Sequence, residues 1–119
     1  YSMPPGLMQE DLAAIDAHYK KVSDTYGMEV NTPELVINAL GYRHLQAGDA
    51  DAAIDVFKQN VERYPGSANV YDSLGEALEN KGDIEKAAEN YAKAVKLGEK
   101  NEDPNVPIYK TNLDRVSGQ

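Results

Sequence analysis

The chain has 119 residues, no cysteine and a formal net charge of −8 at pH 7, from 20 acidic and 12 basic residues. This length suits one domain that buries about two thirds of its unfolded surface. The composition excludes disulfides and thiolate chemistry, and no apolar run is long enough to cross a bilayer. The negative charge opposes binding to nucleic acid and to anionic membranes, so neither is an expected partner.

The first predicted element is an amphipathic helix over residues 8–26. Its apolar residues recur alternately four and three positions apart, which places them on one face of a helix. They are Met8, Leu12, Ile15, Tyr19, Val22 and Tyr26. Gly27 is expected to end this helix. Thr32 and Pro33 are expected to begin the next one, as its cap and its first helical residue.

Two copies of one pattern follow. The segment LGYRHLQAGDADAAIDVF, which begins at Leu40, aligns without gaps with LGEALENKGDIEKAAENY, 34 residues later. Like replaces like at this offset, and Phe57 becomes Tyr91. A fixed offset of this kind indicates a structural repeat. We therefore predict one repeat over residues 34–67 and a second over residues 68–101.

Each copy is predicted to be a pair of antiparallel helices. The Gly-Asp pairs that begin at Gly48 and Gly82 separate the two helices, because glycine accepts the left-handed conformation after a helix end and aspartate caps the next helix. Glycine on the first helix permits close approach of the second. Phe57 and Tyr91 are therefore expected to be buried at the two hairpin contacts. Ser67 is the expected cap of the helix that opens the second copy.

A shorter apolar stripe predicts a C-terminal capping helix within residues 102–119. Its members are Val106, Tyr109, Leu113 and Val116. Either Asp103-Pro104 or Asn105-Val106-Pro107 could start this helix. With an N-terminal helix and linker in residues 1–33, the sequence predicts an all-α stack of antiparallel helical hairpins with about six helices around one core.

Four features of the repeats point to one family. They are the period of 34 residues, the Leu-Gly pair, an alanine four residues before an aromatic residue, and a closing proline. Together they resemble the tetratricopeptide repeat (TPR). The residues that carry the resemblance are Leu40, Gly41, Ala53, Phe57, Pro65, Leu74, Gly75, Ala87 and Tyr91. Glu99 departs from the family pattern, which has a second proline at that place. The resemblance implies a TPR-like α-solenoid that serves as a non-catalytic protein–protein interaction module.

In stacked hairpins of this family the first helix of each pair lines the concave side. The resemblance therefore implies a partner-binding groove beside Leu35, formed by Asn38, Tyr42, Leu45, Gln46, Asn69, Asp72, Glu76, Glu79 and Asn80. Some TPR domains clamp a terminal carboxylate with lysine, arginine and asparagine, but no lysine or arginine occupies this groove. We expect instead a protein or peptide that is basic or rich in amides. Two alternatives stay open: a terminal helix of the chain fills the groove, or the acids only form a solvated outer face.

No catalytic residue, cofactor or metal site is predicted. His18 and His44 have no serine or carboxylate nearby at the spacing of a catalytic triad, so we interpret both as packing residues. The run from Asp49 to Asp55 contains three aspartates. It lacks the loop glycine and the closing glutamate of a calcium site. The isolated chain is therefore predicted not to be an enzyme.

A second resemblance spans residues 12–98. The order of its segments, among them NALGY and NVERYPGSANVYDSLGEA, is similar to the C-terminal helical extension of bacterial serine hydrolases, including esterase-like α/β-hydrolases and β-lactamase-related enzymes. It implies an accessory domain, for docking or homodimerisation, linked covalently to a hydrolase domain that holds the catalytic serine. Since the chain starts at Tyr1 and not at methionine, we expect an excised domain or a processed product. Bacterial cytoplasm and periplasm both stay open.

Overall fold

The structure is a computed structural model that describes residues 11–118. Within this range the chain forms six α-helices and no strand: α1 (Leu12–Tyr26), α2 (Glu34–Gln46), α3 (Ala50–Arg63), α4 (Ala68–Lys81), α5 (Ile84–Lys100) and α6 (Val106–Val116). None of these six combines the length and the apolar character that a membrane-spanning helix needs. The predicted all-α fold is confirmed. Met8, the first residue of the predicted N-terminal stripe, lies outside the described residues.

The helices stack as two hairpins with a further helix at each end. α2 pairs with α3 and α4 pairs with α5, while α3 packs on α4 and α2 lies beside α4. Glycine on the first helix of each hairpin contacts an aromatic ring on the second. A Cβ atom added at Gly41 would overlap the Phe57 ring, and one added at Gly75 would lie 2.7 Å from the Tyr91 ring. Both rings are fully buried, as predicted.

The Gly-Asp pairs separate the two helices of each hairpin as the sequence predicts. Gly48 and Gly82 have φ angles of 83° and 96°. The Asp49 carboxylate accepts a hydrogen bond of 3.0 Å from the backbone amide three residues further on. The Asp83 carboxylate accepts one of 3.5 Å at the same relative position. The left-handed glycine turns the chain, and the aspartate satisfies an amide that the helix leaves without a partner.

Two predicted helix starts differ in detail. α2 begins at Glu34, with Pro33 at the cap position and not inside the helix. The Thr32 hydroxyl donates to the Asp16 carboxylate at 2.6 Å, so the prediction that Thr32 caps α2 is wrong. Ser67 holds the cap position of α4, but its hydroxyl donates to the Glu34 carboxylate at 2.9 Å. In both cases a charged acceptor binds the hydroxyl, which is a stronger hydrogen bond than one to a neutral group.

The N-terminal helix α1 packs through its apolar stripe on α2 and α3. The shared cluster consists of Leu12, Ile15, Tyr19, Val36, Ile37, Leu40 and Val56. Arg63 of α3 also donates two hydrogen bonds to Asp16, of 2.7 and 2.8 Å. Tyr26 was predicted to belong to the stripe, but 72% of it is exposed. The prediction is wrong at this residue because α1 ends there and Gly27, with φ 67°, turns the chain away.

The C-terminal helix α6 packs on α5. It begins at Val106, after the cap residue Asn105 and with Pro107 in its first turn, so the second of the two predicted starts is confirmed. Gly98 of α5 permits the close approach, since a Cβ atom added there would lie 2.9 Å from the Val106 side chain. Tyr109 is buried in this contact. α5 has 17 residues and α3 has 14, so α6 does not continue the 34-residue register.

Candidate functional site

Polar side chains of α2 and α4 meet along the face where the groove was predicted. The Tyr42 hydroxyl donates to Glu76 Oε2 at 2.8 Å. The Ser73 hydroxyl donates to Asn38 Oδ1 at 2.6 Å, and the Tyr42 and Ser73 oxygens are 3.3 Å apart. We call these four side chains the polar floor. The structure therefore brings three of the predicted groove residues into one hydrogen-bonded group, together with Ser73, which the sequence analysis did not select.

Tyr42 is fixed from two sides. Its ring meets the Phe57 ring edge to face, with 5.1 Å between the centroids and 67° between the planes. Burial, together with the neighbouring Glu76 carboxylate, holds the pKa of Tyr42 well above its usual range. The hydroxyl is therefore protonated at neutral pH and donates to Glu76. Leu45, the next apolar residue along α2, is half-buried and packs against the core cluster that contains Phe57.

Two of the predicted groove residues contact α6. The Asn112 amide donates to Asp72 Oδ1 at 2.9 Å, and Asp72 is only 5% exposed. Arg115 donates two hydrogen bonds to the Glu79 carboxylate, of 2.7 and 2.9 Å. Along this side of α4 the chain's own C-terminal helix therefore lies against two of the residues that were assigned to a partner. This is one of the alternatives that the sequence left open.

The two carboxylates have different environments. Burial raises the pKa of Asp72 to about 6, although the hydrogen bond from Asn112 opposes the change. The hydrogen bonds from Arg115 lower the pKa of Glu79. The Tyr91 hydroxyl also donates to Glu79 at 2.8 Å, from the core side. Glu79 thus stays ionised and is held by three donors, whereas Asp72 titrates near pH 6.

The remaining predicted groove residues lie nearer the solvent. Gln46 and Asn80 are exposed, and Asn69 is half-buried. Leu35 is 72% exposed. It lies one turn before Asn38 on the same side of α2, because residues three apart share a helix face. A solvent-exposed apolar side chain therefore lies beside the polar floor.

Sequence reasoning missed Asn112 and Arg115. The groove predicted from α2 and α4 contained no lysine or arginine, but α6 places Arg115 against Glu79. These residues could not be predicted from the 34-residue offset. The greater length of α5 and the linker after it shift α6 out of the register of the repeats. The only available signal was that both residues border the predicted stripe of the capping helix.

Other concave features lie away from this face. A pocket of about 690 Å³ lies between α1, the connection to α2 and the end of α3, where Lys20, Arg63 and Tyr64 line it. His44 lines a separate pocket of about 420 Å³. The His18 ring packs edge to face on Tyr19, 5.1 Å away. Among residues 11–118, no three His, Asp or Glu side chains converge in a way that could hold a metal ion.

The comparison with known families agrees with the hairpin geometry. The family model of the tetratricopeptide repeat matches residues 68–101, which contain α4 and α5. No curated protein matches the chain. The fold and this match define a TPR-like helical repeat domain. Such repeats are generally non-catalytic scaffolds, whose stacked helices create surfaces for binding other proteins. Neither comparison relates the chain to serine hydrolases.

Proposed function

We propose that the chain is a non-catalytic protein–protein interaction module that binds a peptide segment on the face formed by α2 and α4. The observation that supports this most directly is Leu35, which is 72% exposed beside the ordered polar floor. An exposed leucine offers a contact for an apolar side chain of a partner. The fixed hydrogen-bonding groups beside it offer contacts for the polar part of the same segment. Because the floor is already ordered, a partner does not bear the entropic cost of ordering it.

The charge on this face selects the partner's chemistry. Glu76 accepts a hydrogen bond from Tyr42 on Oε2. Its other oxygen, Oε1, has no hydrogen bond within residues 11–118. Asp72 and Glu79 contact α6, so Glu76 is the acid of α4 that faces an incoming segment. Gln46, Asn69 and Asn80 add amide groups elsewhere in the predicted groove. The proposed partner is therefore a peptide with an apolar anchor followed by basic or amide side chains.

Peptides selected from a random displayed library against the wild-type domain test this proposal. Leu35→Ala should weaken the best peptide about tenfold, because a desolvated apolar contact near the centre of an interface dominates its affinity. Glu76→Gln should weaken a basic peptide at low salt and lose its effect as salt is raised. Glu62→Gln is the matched control, since Glu62 is exposed on α3, which carries none of the groove residues.

The outcome against the proposal is equally specific. If the selected peptides bind Leu35→Ala and Glu76→Gln as tightly as the wild type, the binding face lies elsewhere on the domain. Leu35 is preferable to Tyr42 for this purpose, because Tyr42→Ala would also remove the contact with Phe57. The alternative of an accessory domain of a serine hydrolase rests on the sequence resemblance alone, and no observation in the structure favours it.

A further inference from the structure

Three lysines surround one pocket on the other helix of the second hairpin. Lys93, Lys96 and Lys100 follow one another at intervals of three and four residues, so they lie on one side of α5. They line a pocket of about 350 Å³ whose other walls are Pro65, Tyr71 and Leu97. We call this the lysine pocket. None of its residues belongs to the predicted groove, so the inference does not depend on the proposed function.

The charges of the lysine pocket have no ion-pair partners within residues 11–118. Elsewhere in this range basic side chains do form such pairs, as in Arg63 with Asp16, Arg115 with Glu79 and Lys110 with Glu99. Lys93 instead lies over the Tyr71 ring, 5.9 Å from its centroid. In a chain with 20 acidic residues, three neighbouring ammonium groups with no carboxylate at ion-pair distance reverse the overall charge locally.

The apolar wall of the lysine pocket is held in place by hydrogen bonds. The Tyr71 hydroxyl donates to the Pro65 carbonyl at 3.2 Å, which ties the ring to the turn between α3 and α4. The Asn101 amide donates to the Gly66 carbonyl at 3.0 Å, which ties the same turn to the end of α5. Leu97 is half-buried between the lysines. The pocket is therefore formed before any ligand arrives.

We propose that the lysine pocket binds an acidic peptide segment of a protein partner. Carboxylates of the segment pair with Lys96 and Lys100, and an apolar side chain between them packs on Tyr71 and Leu97. The lysine charges favour acidic groups of the ligand. The apolar wall favours a ligand that also carries an apolar side chain, and so distinguishes a peptide from a free anion. A long polyanion or an anionic membrane fits less well, because the net charge of −8 on the whole chain repels a partner whose negative charge extends beyond the pocket.

The test uses two labelled peptides, Glu-Glu-Leu-Glu-Glu and Gln-Gln-Leu-Gln-Gln, titrated by fluorescence anisotropy at low and physiological salt. The acidic peptide should bind the wild-type domain and the neutral one should not. The double variant Lys96→Glu, Lys100→Glu should weaken the acidic peptide by about tenfold or more, since it replaces two attractive charges by repulsive ones. The control is Lys20→Glu, Lys21→Glu, which makes the same change at exposed lysines of α1 and should leave binding within about twofold.

Three outcomes would overturn the proposal. Equal weakening by the two double variants would mean that only the net charge matters. Equal binding of Glu-Glu-Gly-Glu-Glu, together with competition by inorganic phosphate, would make the pocket a plain anion site. If the acidic peptide does not bind at low salt, the lysine pocket is not a binding site for acidic peptides. Circular dichroism of each variant, compared with the wild type, separates a loss of binding from a loss of fold.

Discussion

Arg115 and Glu79 are joined by two parallel hydrogen bonds of 2.7 and 2.9 Å, which fasten the C-terminal helix to α4. The pair decides which part of the α2–α4 face is open. The carboxylate of Glu79 is occupied from the surface by Arg115 and from the core by Tyr91. The open part of the face therefore lies toward α2, around Tyr42 and Glu76.

Removing Arg115 should loosen α6 without unfolding the hairpins. The side chains of this pair are 49% and 26% exposed, so we expect Arg115→Ala to cost no more than about 1 kcal/mol of unfolding free energy. Amide hydrogen exchange should accelerate in α6 and stay unchanged in α2 and α3. Lys110→Ala is the control, since its pair with Glu99 is more exposed on both sides. Equal acceleration in both variants would mean that the Arg115 pair does not hold α6.

The central hairpin contact should be the most sensitive to truncation. Phe57 is fully buried and fills the space beside Gly41. We expect Phe57→Ala to reduce the free energy of unfolding by about 3–5 kcal/mol, because it leaves a cavity that the helices only partly close. Urea unfolding of this variant and of the exposed neighbour Lys58→Ala provides the comparison. A loss below about 1 kcal/mol would contradict the central role of the contact.

Most of the fold could be predicted because its signals are local. The caps at Asp49 and Asp83 and the glycines that face Phe57 and Tyr91 are set by residues within one repeat, and the offset of 34 residues copies them to the next. Contacts between distant helices could not be predicted in this way. Thr32 has no local signal for its bond to Asp16, so its capping role was wrongly inferred.

The candidate site was predictable to the same extent. Asn38, Tyr42 and Glu76 could be selected because α2 and α4 occupy the same place in successive repeats. Their partner Ser73 is buried. It was not selected because it lies among the residues of the apolar core stripe of α4. The pairing of Asp72 with Asn112 depends on where α6 lies, and that position is set by the length of α5 and of the linker after it. No periodic pattern in the sequence fixes that length.

Asp72 should make stability depend on pH. Folding raises its pKa from 3.8 to about 6, so the folded protein disfavours the ionised form. Well below pH 3.8 the Asp72 carboxyl is protonated in both states and does not affect stability. Between pH 3.8 and about 6 the unfolded chain releases this proton while the folded chain keeps it, so stability falls by about 1.4 kcal/mol per pH unit. The loss reaches about 3 kcal/mol near pH 6 and does not grow further at higher pH. Stability should therefore fall between about pH 4 and pH 6 by this contribution.

The variant Asp72→Asn isolates this effect. It cannot ionise, so its unfolding free energy should exceed that of the wild type at pH 7.5 and the difference should shrink toward pH 4. Urea unfolding at several pH values measures both. Asp24→Asn, at an exposed position of α1, is the control and should change stability by less than about 0.5 kcal/mol throughout. A difference between wild type and Asp72→Asn that stays constant with pH would refute the assignment to Asp72.

The isolated chain should fold alone and should not hydrolyse esters. Its helices pack mainly on their sequence neighbours, so each hairpin closes its core within the chain. The residue most worth testing as a base is His44, which lines a pocket with Asp16 and Asp55 but with no serine. We expect a helical circular dichroism spectrum, and turnover of a chromogenic ester at the buffer rate by both wild type and His44→Ala. Turnover that disappears in His44→Ala would make His44 a base in a catalytic site. An unfolded spectrum would show that the helices need a further domain to pack against.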